Sequence, residues 1–247
     1  MKLRVSEIFG PTVQGEGRLI GTSCAFIRFA GCDYRCAWCD SLHAVLPEYV
    51  ARTPQLDEEA IVEKTLEVAS SVPWVVFSGG NPALFDLSGL VERFHDRRKK
   101  VMVETQGSIW KPWIGQCDDI CISPKPPSAE YNITDPVALR NMLTEAFVRR
   151  EIDTWRKVYL KVVIFNEADY EYAGKVRDAF PWLPLFLSVG NPMPPGPDAG
   201  YNPVDISTLL ERLRWLMERV AADTEMAHKA RVLPQLHVLA WGNERGR

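Results

Sequence analysis

Long apolar runs are missing from this 247-residue sequence, and no stretch has the length and apolarity needed to span a bilayer. The opening residues, MKLRVSEIFGPTVQGEG, carry no apolar h-region and no small-residue cleavage site, so no secretory leader is expected. Charge of one sign is also lacking: 29 Lys and Arg stand against 32 Asp and Glu, a formal net charge of −3. Nothing in that balance suggests a broad nucleic-acid or membrane surface. The one basic run, Arg97-Arg98-Lys99-Lys100, is expected to be the solvated end of a helix. Internal repeats and low-complexity linkers are absent. With no export signal the expected compartment is the cytoplasm, where thiols stay reduced. The six cysteines therefore need an account other than disulfides.

What is present is enough apolar material for a large core, 46% of residues, arranged in a rhythm. Near-continuous apolar runs at 24–30, 73–78, 101–105, 120–123, 158–165, 185–190 and 235–241 predict strands buried on both faces. Helical patterns lie between them. Asp57 is placed to cap 58–71, Asp86 to cap 87–100, Asn166 to open 167–180, and Pro136 sits just inside 135–150. From Asp205 the stripe Ile206, Leu209, Leu210, Leu213, Leu216, Met217 and Val220 repeats with a 3.6-residue period and predicts one buried face. Alternation of this kind argues for an α/β fold with mainly parallel strands in a single domain over 1–247. Periodicity alone leaves an open doubly wound sheet and an incomplete (β/α) barrel both standing. A Pro/Gly-rich segment at 190–203 predicts a long loop at the C-terminal end of a strand.

Three of the cysteines crowd into 31-GCDYRCAWCDS-41: Cys32, Cys36 and Cys39, spaced C-x3-C-x2-C. Thiolates so close in sequence can converge on one metal centre, and soft sulfur selects zinc or iron–sulfur. His43 would complete a Cys3His zinc site. The other reading is a four-iron cluster with three protein ligands, which leaves one iron open to a small molecule. Cys24, Cys117 and Cys121 are scattered and read as small buried residues.

Other polar groups gather at strand ends. The run 73–78 leads into Gly79-Gly80-Asn81-Pro82, where glycines allow close backbone approach. Then come 103-VETQG-107, Ser123-Pro124-Lys125, and Ser188 to Asn191. Polar ends on successive strands are how (β/α) barrels build sites. Upstream stand Val13-Gln14-Gly15-Glu16-Gly17 and Arg28.

The cysteine spacing, with aromatic Trp38 before the third thiol, resembles the radical S-adenosylmethionine (SAM) superfamily. Taken with QGEG, Arg28, Cys39-Asp40-Ser41, Ser78-Gly79-Gly80, ETQG and SPK, the chain resembles the 7-carboxy-7-deazaguanine synthase family, most specifically over residues 6–125. That resemblance implies an incomplete (β/α)6-type radical SAM barrel with a short C-terminal extension. It implies ring contraction of 6-carboxy-5,6,7,8-tetrahydropterin to 7-carboxy-7-deazaguanine with loss of ammonia, a step toward queuosine-type 7-deazapurines. The implied cofactors are a [4Fe–4S] cluster, SAM and Mg2+. The implied partners are a pterin, a flavodoxin- or ferredoxin-type reductant and a second copy of the chain in a homodimer; no nucleic acid or membrane is implied.

Carried over by motif, Cys32, Cys36 and Cys39 hold the cluster. Trp38, Cys39, Asp40, Gly80, Ser123, Pro124, Lys125, Ser188, Val189, Gly190 and Asn191 line SAM. Val13, Gln14, Gly15, Arg28 and Ser78 contact the pterin, with Glu16 a weaker candidate. Arg28 offers a planar fork to a carboxylate and Gln14 matches donors and acceptors alike. Ser41 stands where the family has Thr as the Mg2+ ligand, and its hydroxyl is a hard oxygen donor. Asn81 departs from the Glu usual at this turn in the radical SAM superfamily. Gln235 and His237, on the last expected strand, are assigned no role. The rivals are another radical SAM enzyme, such as a glycyl-radical activase, and a non-enzymatic zinc or iron–sulfur module.

Overall fold

The computed structural model describes residues 2–198 and 204–247, so part of the expected 190–203 loop lies outside the described residues. The chain opens with a strand the apolar pattern did not reveal, β1 (Lys2–Val13), followed by β2 (Ser23–Phe29). Next come α1 (Pro47–Arg52), β3 (Gln55–Asp57), α2 (Glu58–Ala69), β4 (Trp74–Gly79), α3 (Ser88–Asp96), β5 (Lys100–Thr105) and β6 (Asp119–Ile122). The second half holds α4 (Pro136–Val148), β7 (Val158–Ile164), α5 (Glu167–Ala179), β8 (Leu185–Val189), α6 (Ile206–Ala222), α7 (Thr224–Ala227), β9 (Ala230–Leu233) and α8 (Leu236–Trp241).

The strands form one nine-stranded sheet in the order β3-β1-β2-β4-β5-β6-β7-β8-β9. From β2 to β9 every neighbour is parallel; β1 runs antiparallel to both β2 and β3. The edge strands β3 and β9 are not paired with each other, so the sheet stays open, as the incomplete barrel requires. Parallel strands need crossovers, and the helices supply them on one face. That face carries the large core: Ile27, Phe29, Phe77, Val103, Leu160 and Leu187 from strands meet Ile61, Phe94, Leu143, Val176 and Leu216 from helices. Each such side chain contributes about 1.5–3 kcal/mol by leaving water. The opposite face begins with a smaller apolar layer, Cys24, Val76, Met102, Cys121, Tyr159 and Phe186. Toward the C-terminal strand ends the same face turns polar, with Ser78, Glu104, Ser123 and Lys161.

Most helix starts follow their caps. Asp57 accepts from Ala60 N, Asp135 from Val137 N, Asn166 from Asp169 N and Asp205 from Thr208 N, each interaction worth about 1 kcal/mol. Four expectations need correction. Asp86 does not cap α3: the cap position falls on Leu87, with no side-chain cap hydrogen bond. The helix expected over 87–100 ends at Asp96, because Arg98 adopts φ 57°, outside the helical region, and Lys100 begins β5. The stripe on α6 buries Leu209, Leu216 and Val220, but Leu210 and Met217 are exposed. The strand expected at 235–241 is the helix α8. The place beside β8 is taken by Ala230–Leu233, and Pro234, lacking an N–H, ends that pairing. None of the described helices is long and apolar enough to cross a membrane.

Candidate active site

The C-terminal ends of the parallel strands open onto one cavity. Its wall includes Arg28 from β2, Ser78 and Gly80 from β4 and the turn after it, and Glu104 and Gln106 at the end of β5. It continues through Ser123 and Lys125 after β6, Lys161 on β7, and Gly190 and Asn191 after β8. A second cavity adjoins it beneath the C-terminal segment, and the two share Arg28, Asp40, Ser41, Asn191, Gln235, His237 and Arg247.

The cysteine loop is held from three sides. Cys36 makes an isolated β-bridge with Glu130, Ala37 N donates to Ala129 O at 3.2 Å, and Arg35 N donates to Asn132 Oδ1 at 3.0 Å. From β4, Asn81 N donates to Gly31 O at 2.7 Å. A Cβ on Gly80 would stand 2.0 Å from Gly31 O, so only glycine permits this approach. Trp38 Nε1 donates to Ser128 Oγ at 3.0 Å, its ring lies 5.2 Å from that of Phe165, and the Lys125 ammonium sits 5.6 Å from its centroid. All three cysteines are half-buried, unbridged, and line the cavity. Burial pushes the three thiols up, Cys39 to about 12 with help from the Asp40 carboxylate.

Cys24, Cys117 and Cys121 are buried away from the cavity, so the loop has no fourth thiol. His43, the fourth ligand of the zinc alternative, turns instead toward Glu7, with Nε2 3.3 Å from Oε2. Among the described residues no three His, Cys, Asp or Glu side chains close around a point where a single ion would sit. The fourth ligand of a closed zinc site is thus supplied neither by His43 nor by another cysteine. Three soft donors facing a cavity, with no fourth protein ligand, fit an iron–sulfur cluster that keeps one iron open.

The QGEG segment reaches the same cavity from β1. Gln14 Nε2 points at Met102 Sδ, 3.4 Å away, and its Oε1 accepts from Glu16 N at 3.3 Å. Gly15 lies against His237, where a Cβ would come 2.1 Å from Nδ1. Glu16 Oε2 is 2.6 Å from Lys161 Nζ, and Oε1 accepts from Gln235 Nε2 at 2.9 Å. Lys161 is only 2% exposed and also reaches Glu104 Oε1 at 2.5 Å. Burial works against charge on Glu16, but the Lys161 ammonium, His237 and the Gln235 amide together outweigh it and hold the carboxyl below its usual range. Burial likewise opposes charge on Lys161, and the two carboxylates reverse that effect.

A second polar chain runs along the adjoining cavity. Ser41 Oγ donates to Asp40 Oδ1 at 2.8 Å and accepts from Arg28 Nη1 at 2.7 Å. Arg28 Nε donates to Glu7 Oε2 at 2.9 Å, and Arg245 binds the other oxygen of Glu7. Burial pushes Glu7 up, yet His43, Arg28 and Arg245 together bring it down to about 2. Asn191 Nδ2 donates to Asn243 Oδ1 at 2.8 Å, tying the strand end to the C-terminal segment.

The cavity thus gathers Val13, Gln14, Gly15, Arg28, Cys32, Cys36, Trp38, Cys39, Asp40, Ser41, Ser78, Gly80, Ser123, Lys125, Gly190 and Asn191. Pro124, Ser188 and Val189 are buried and do not line it, although Ser188 Oγ has no hydrogen-bond partner. Sequence reasoning passed over Lys161, although a lone charge in 158-VYLKVVIF-165 was a signal. It also set aside Gln235 and His237, which α8 brings onto the wall, and it gave no role to Glu7.

No family model matches the chain. A 7-carboxy-7-deazaguanine synthase of Bacillus cereus is 40% identical over 247 residues, covering 99% of each chain. One from Bacillus subtilis is 40% identical, covering 98% of this chain and 97% of the relative. Among solved structures, QueE from Escherichia coli superposes with a TM-score of 0.61 at 19% identity, over 96% of this chain and 95% of that one. A radical SAM methyltransferase from Sphaerobacter thermophilus reaches 0.51 at 16% identity, over 90% and 71%. The last two establish the radical SAM fold, and the full-length identity to the first two establishes more: the chain belongs to the 7-carboxy-7-deazaguanine synthase family.

Proposed function

We propose that this chain, as a single radical SAM core domain over 1–247, converts 6-carboxy-5,6,7,8-tetrahydropterin to 7-carboxy-7-deazaguanine. The reaction is a ring contraction that releases ammonia, and it makes the chain a carbon–nitrogen lyase of 7-deazapurine biosynthesis. The observation that carries this reading is the 40% identity over the full chain to relatives of that name. The three-thiol loop, QGEG and Arg28 on one cavity support it.

Cys32, Cys36 and Cys39 would hold a [4Fe–4S] cluster, which with SAM supplies a 5′-deoxyadenosyl radical when bound. Trp38, Asp40, Gly80, Ser123, Lys125, Gly190 and Asn191 would bind SAM, with Pro124, Ser188 and Val189 supporting them from below. Val13, Gln14, Gly15 and Ser78 would hold the pterin, and Arg28 would take its carboxylate through Nη2, which the contacts to Glu7 and Ser41 do not use. Glu16, fixed in its charged form by Lys161, would accept N–H groups of the heterocycle. Ser41 would offer its remaining lone pair to Mg2+. The strand-end residues and the C-terminal segment would exclude water, so that the radical meets only the bound substrate. A flavodoxin- or ferredoxin-type protein would supply the electron, and the working form would be a cytoplasmic homodimer.

The test is turnover: anaerobically reconstituted protein is supplied with 6-carboxytetrahydropterin, SAM, Mg2+ and a reductant, and the product is identified by mass. Formation of 7-carboxy-7-deazaguanine is expected. Cleavage of SAM with the pterin left intact would point to a different radical SAM enzyme.

A further inference from the structure

Gln106 stands at the C-terminal end of β5, 4% exposed, with its amide turned across to the cysteine loop. Nε2 lies 2.7 Å from Asp33 Oδ1 and 3.7 Å from Cys32 Sγ. A side-chain amide carries two hydrogens on one nitrogen, so it can serve the carboxylate and the sulfur together. The same sulfur receives a backbone N–H from Tyr34 at 3.4 Å. Asp33, between the first two cysteines, is gripped again by Asn81 Nδ2 at 2.8 Å. Asn81 is fully buried and fully engaged: Nδ2 also donates to Ser108 Oγ, and Oδ1 accepts from Ala83 N and Thr105 Oγ1. A glutamate at position 81, the residue usual at this turn in the radical SAM superfamily, would set a second carboxylate against Asp33. The amide replaces that repulsion with a hydrogen bond.

We propose that Gln106 is a positioning residue that clamps Cys32 through Asp33 and sets the electron affinity of the cluster held by the loop. This inference rests on the iron–sulfur reading above. An N–H aimed at a cluster-bound sulfur stabilises the more electron-rich, reduced state and raises the reduction potential. The Asp33 carboxylate acts in the opposite sense. Gln106 faces both groups, donating to the sulfur and screening the charge beside it.

The test is a redox titration of the reconstituted cluster followed by electron paramagnetic resonance, with iron and sulfide counted in each sample. Gln106→Met removes both N–H groups and leaves Asn81 holding Asp33. Its cluster is expected to be harder to reduce, with a roughly tenfold lower reduced-to-oxidised ratio at the wild-type midpoint, about 59 mV for one electron. Asp33→Asn keeps an acceptor for both amides and removes the charge, so its potential is expected to move the other way. Opposite signs are not produced by a role in packing alone. If Gln106→Met does not hold iron, Gln106→Glu, of the same shape but without the N–H donors, carries the measurement, and a negative shift is again expected. Wild-type protein without four iron and four sulfide per chain overturns the iron–sulfur reading and this inference with it. A wild-type cluster alongside a Gln106 variant that keeps its cluster at an unchanged potential overturns the inference alone.

Discussion

The guanidinium of Arg28 donates through Nη1 to Ser41 Oγ at 2.7 Å, joining the strand β2 to the residue two beyond the third cysteine. The same guanidinium is braced by Glu7 through Nε at 2.9 Å. Those two contacts do not use Nη2, and Arg28 lines both cavities. A rotamer-rich side chain is thus held in place before any ligand arrives, which reduces the ordering cost of binding.

Lysine cannot reproduce that geometry, because an ammonium is a point donor without a planar fork. Arg28→Lys is expected to raise the KM for the pterin about ten- to a hundredfold, the equivalent of losing one charge-assisted hydrogen bond of about 1.5–3 kcal/mol. Steady-state kinetics at saturating SAM check this, and an unchanged KM would remove Arg28 from the substrate site.

Ser41 separates two roles. Ser41→Thr keeps the hydroxyl and adds a methyl that stiffens the rotamer, so Mg2+-stimulated turnover is expected to persist. Ser41→Ala deletes the oxygen donor and is expected to abolish the dependence of rate on Mg2+. Mg2+ titrations of both variants read the difference; if Ser41→Ala keeps the wild-type Mg2+ response, the metal is not held there.

Local signals made much of this molecule readable. The parallel strands β2, β4, β5, β6, β7 and β8 stood out because strands covered on both faces are apolar throughout. Of the four starts expected at a named Asp or Asn, three open on that side chain, because such caps act within three residues of themselves. What escaped depends on distant partners. β1 pairs with β2 and β3 although Gly10-Pro11 breaks its pattern, and the apolar run at 235–241 is helical because β9 already occupies the sheet edge. Lys161 shows its purpose only when Glu16, 145 positions away, folds onto it.

Gly15 is where the QGEG motif meets the C-terminal helix. A Cβ there would come 2.1 Å from His237 Nδ1, closer than any packed contact. Gly15→Ala must push His237 and α8 outward. The expected cost is about 1–3 kcal/mol, as for other overpacked sites. It is measured as a lower urea midpoint at unchanged slope, with weaker pterin binding in parallel; wild-type values in both would place His237 elsewhere.

Glu7 gives the fold a defined acid sensitivity. Its pKa falls from 4.5 to about 2, with burial opposing and His43, Arg28 and Arg245 prevailing. A carboxylate depressed on folding contributes stability above its unfolded pKa and loses it as pH drops through the folded value. The loss should therefore run from about pH 4.5 to about pH 2, on the order of 3 kcal/mol for a shift of this size. In Glu7→Gln that component is absent, so the gap to wild type should close across the window. Denaturant melts between pH 5 and pH 2.5 check it, and a gap independent of pH would show that Glu7 titrates normally.

Lys161 holds two carboxylates with one ammonium, 2.6 Å from Glu16 and 2.5 Å from Glu104, at 2% exposure. Lys161→Met keeps the aliphatic volume and leaves two partly buried carboxylates facing each other. Removing one partner of a buried pair costs about 3–5 kcal/mol, so the variant is expected to unfold at a markedly lower urea concentration at pH 7. The pH dependence identifies the cause. In the wild type Glu16 sits below its usual range, so its contribution is present at neutral pH and lost in acid. Without the ammonium, burial raises the Glu16 pKa with only His237 and the Gln235 amide still opposing it, and protonation then relieves the repulsion. The deficit of Lys161→Met should accordingly shrink as pH falls from 7 to 5, whereas a packing defect would leave it constant. Lys161→Arg, which keeps the charge, should recover part of the stability but misplace Glu16, giving a raised pterin KM on a folded protein.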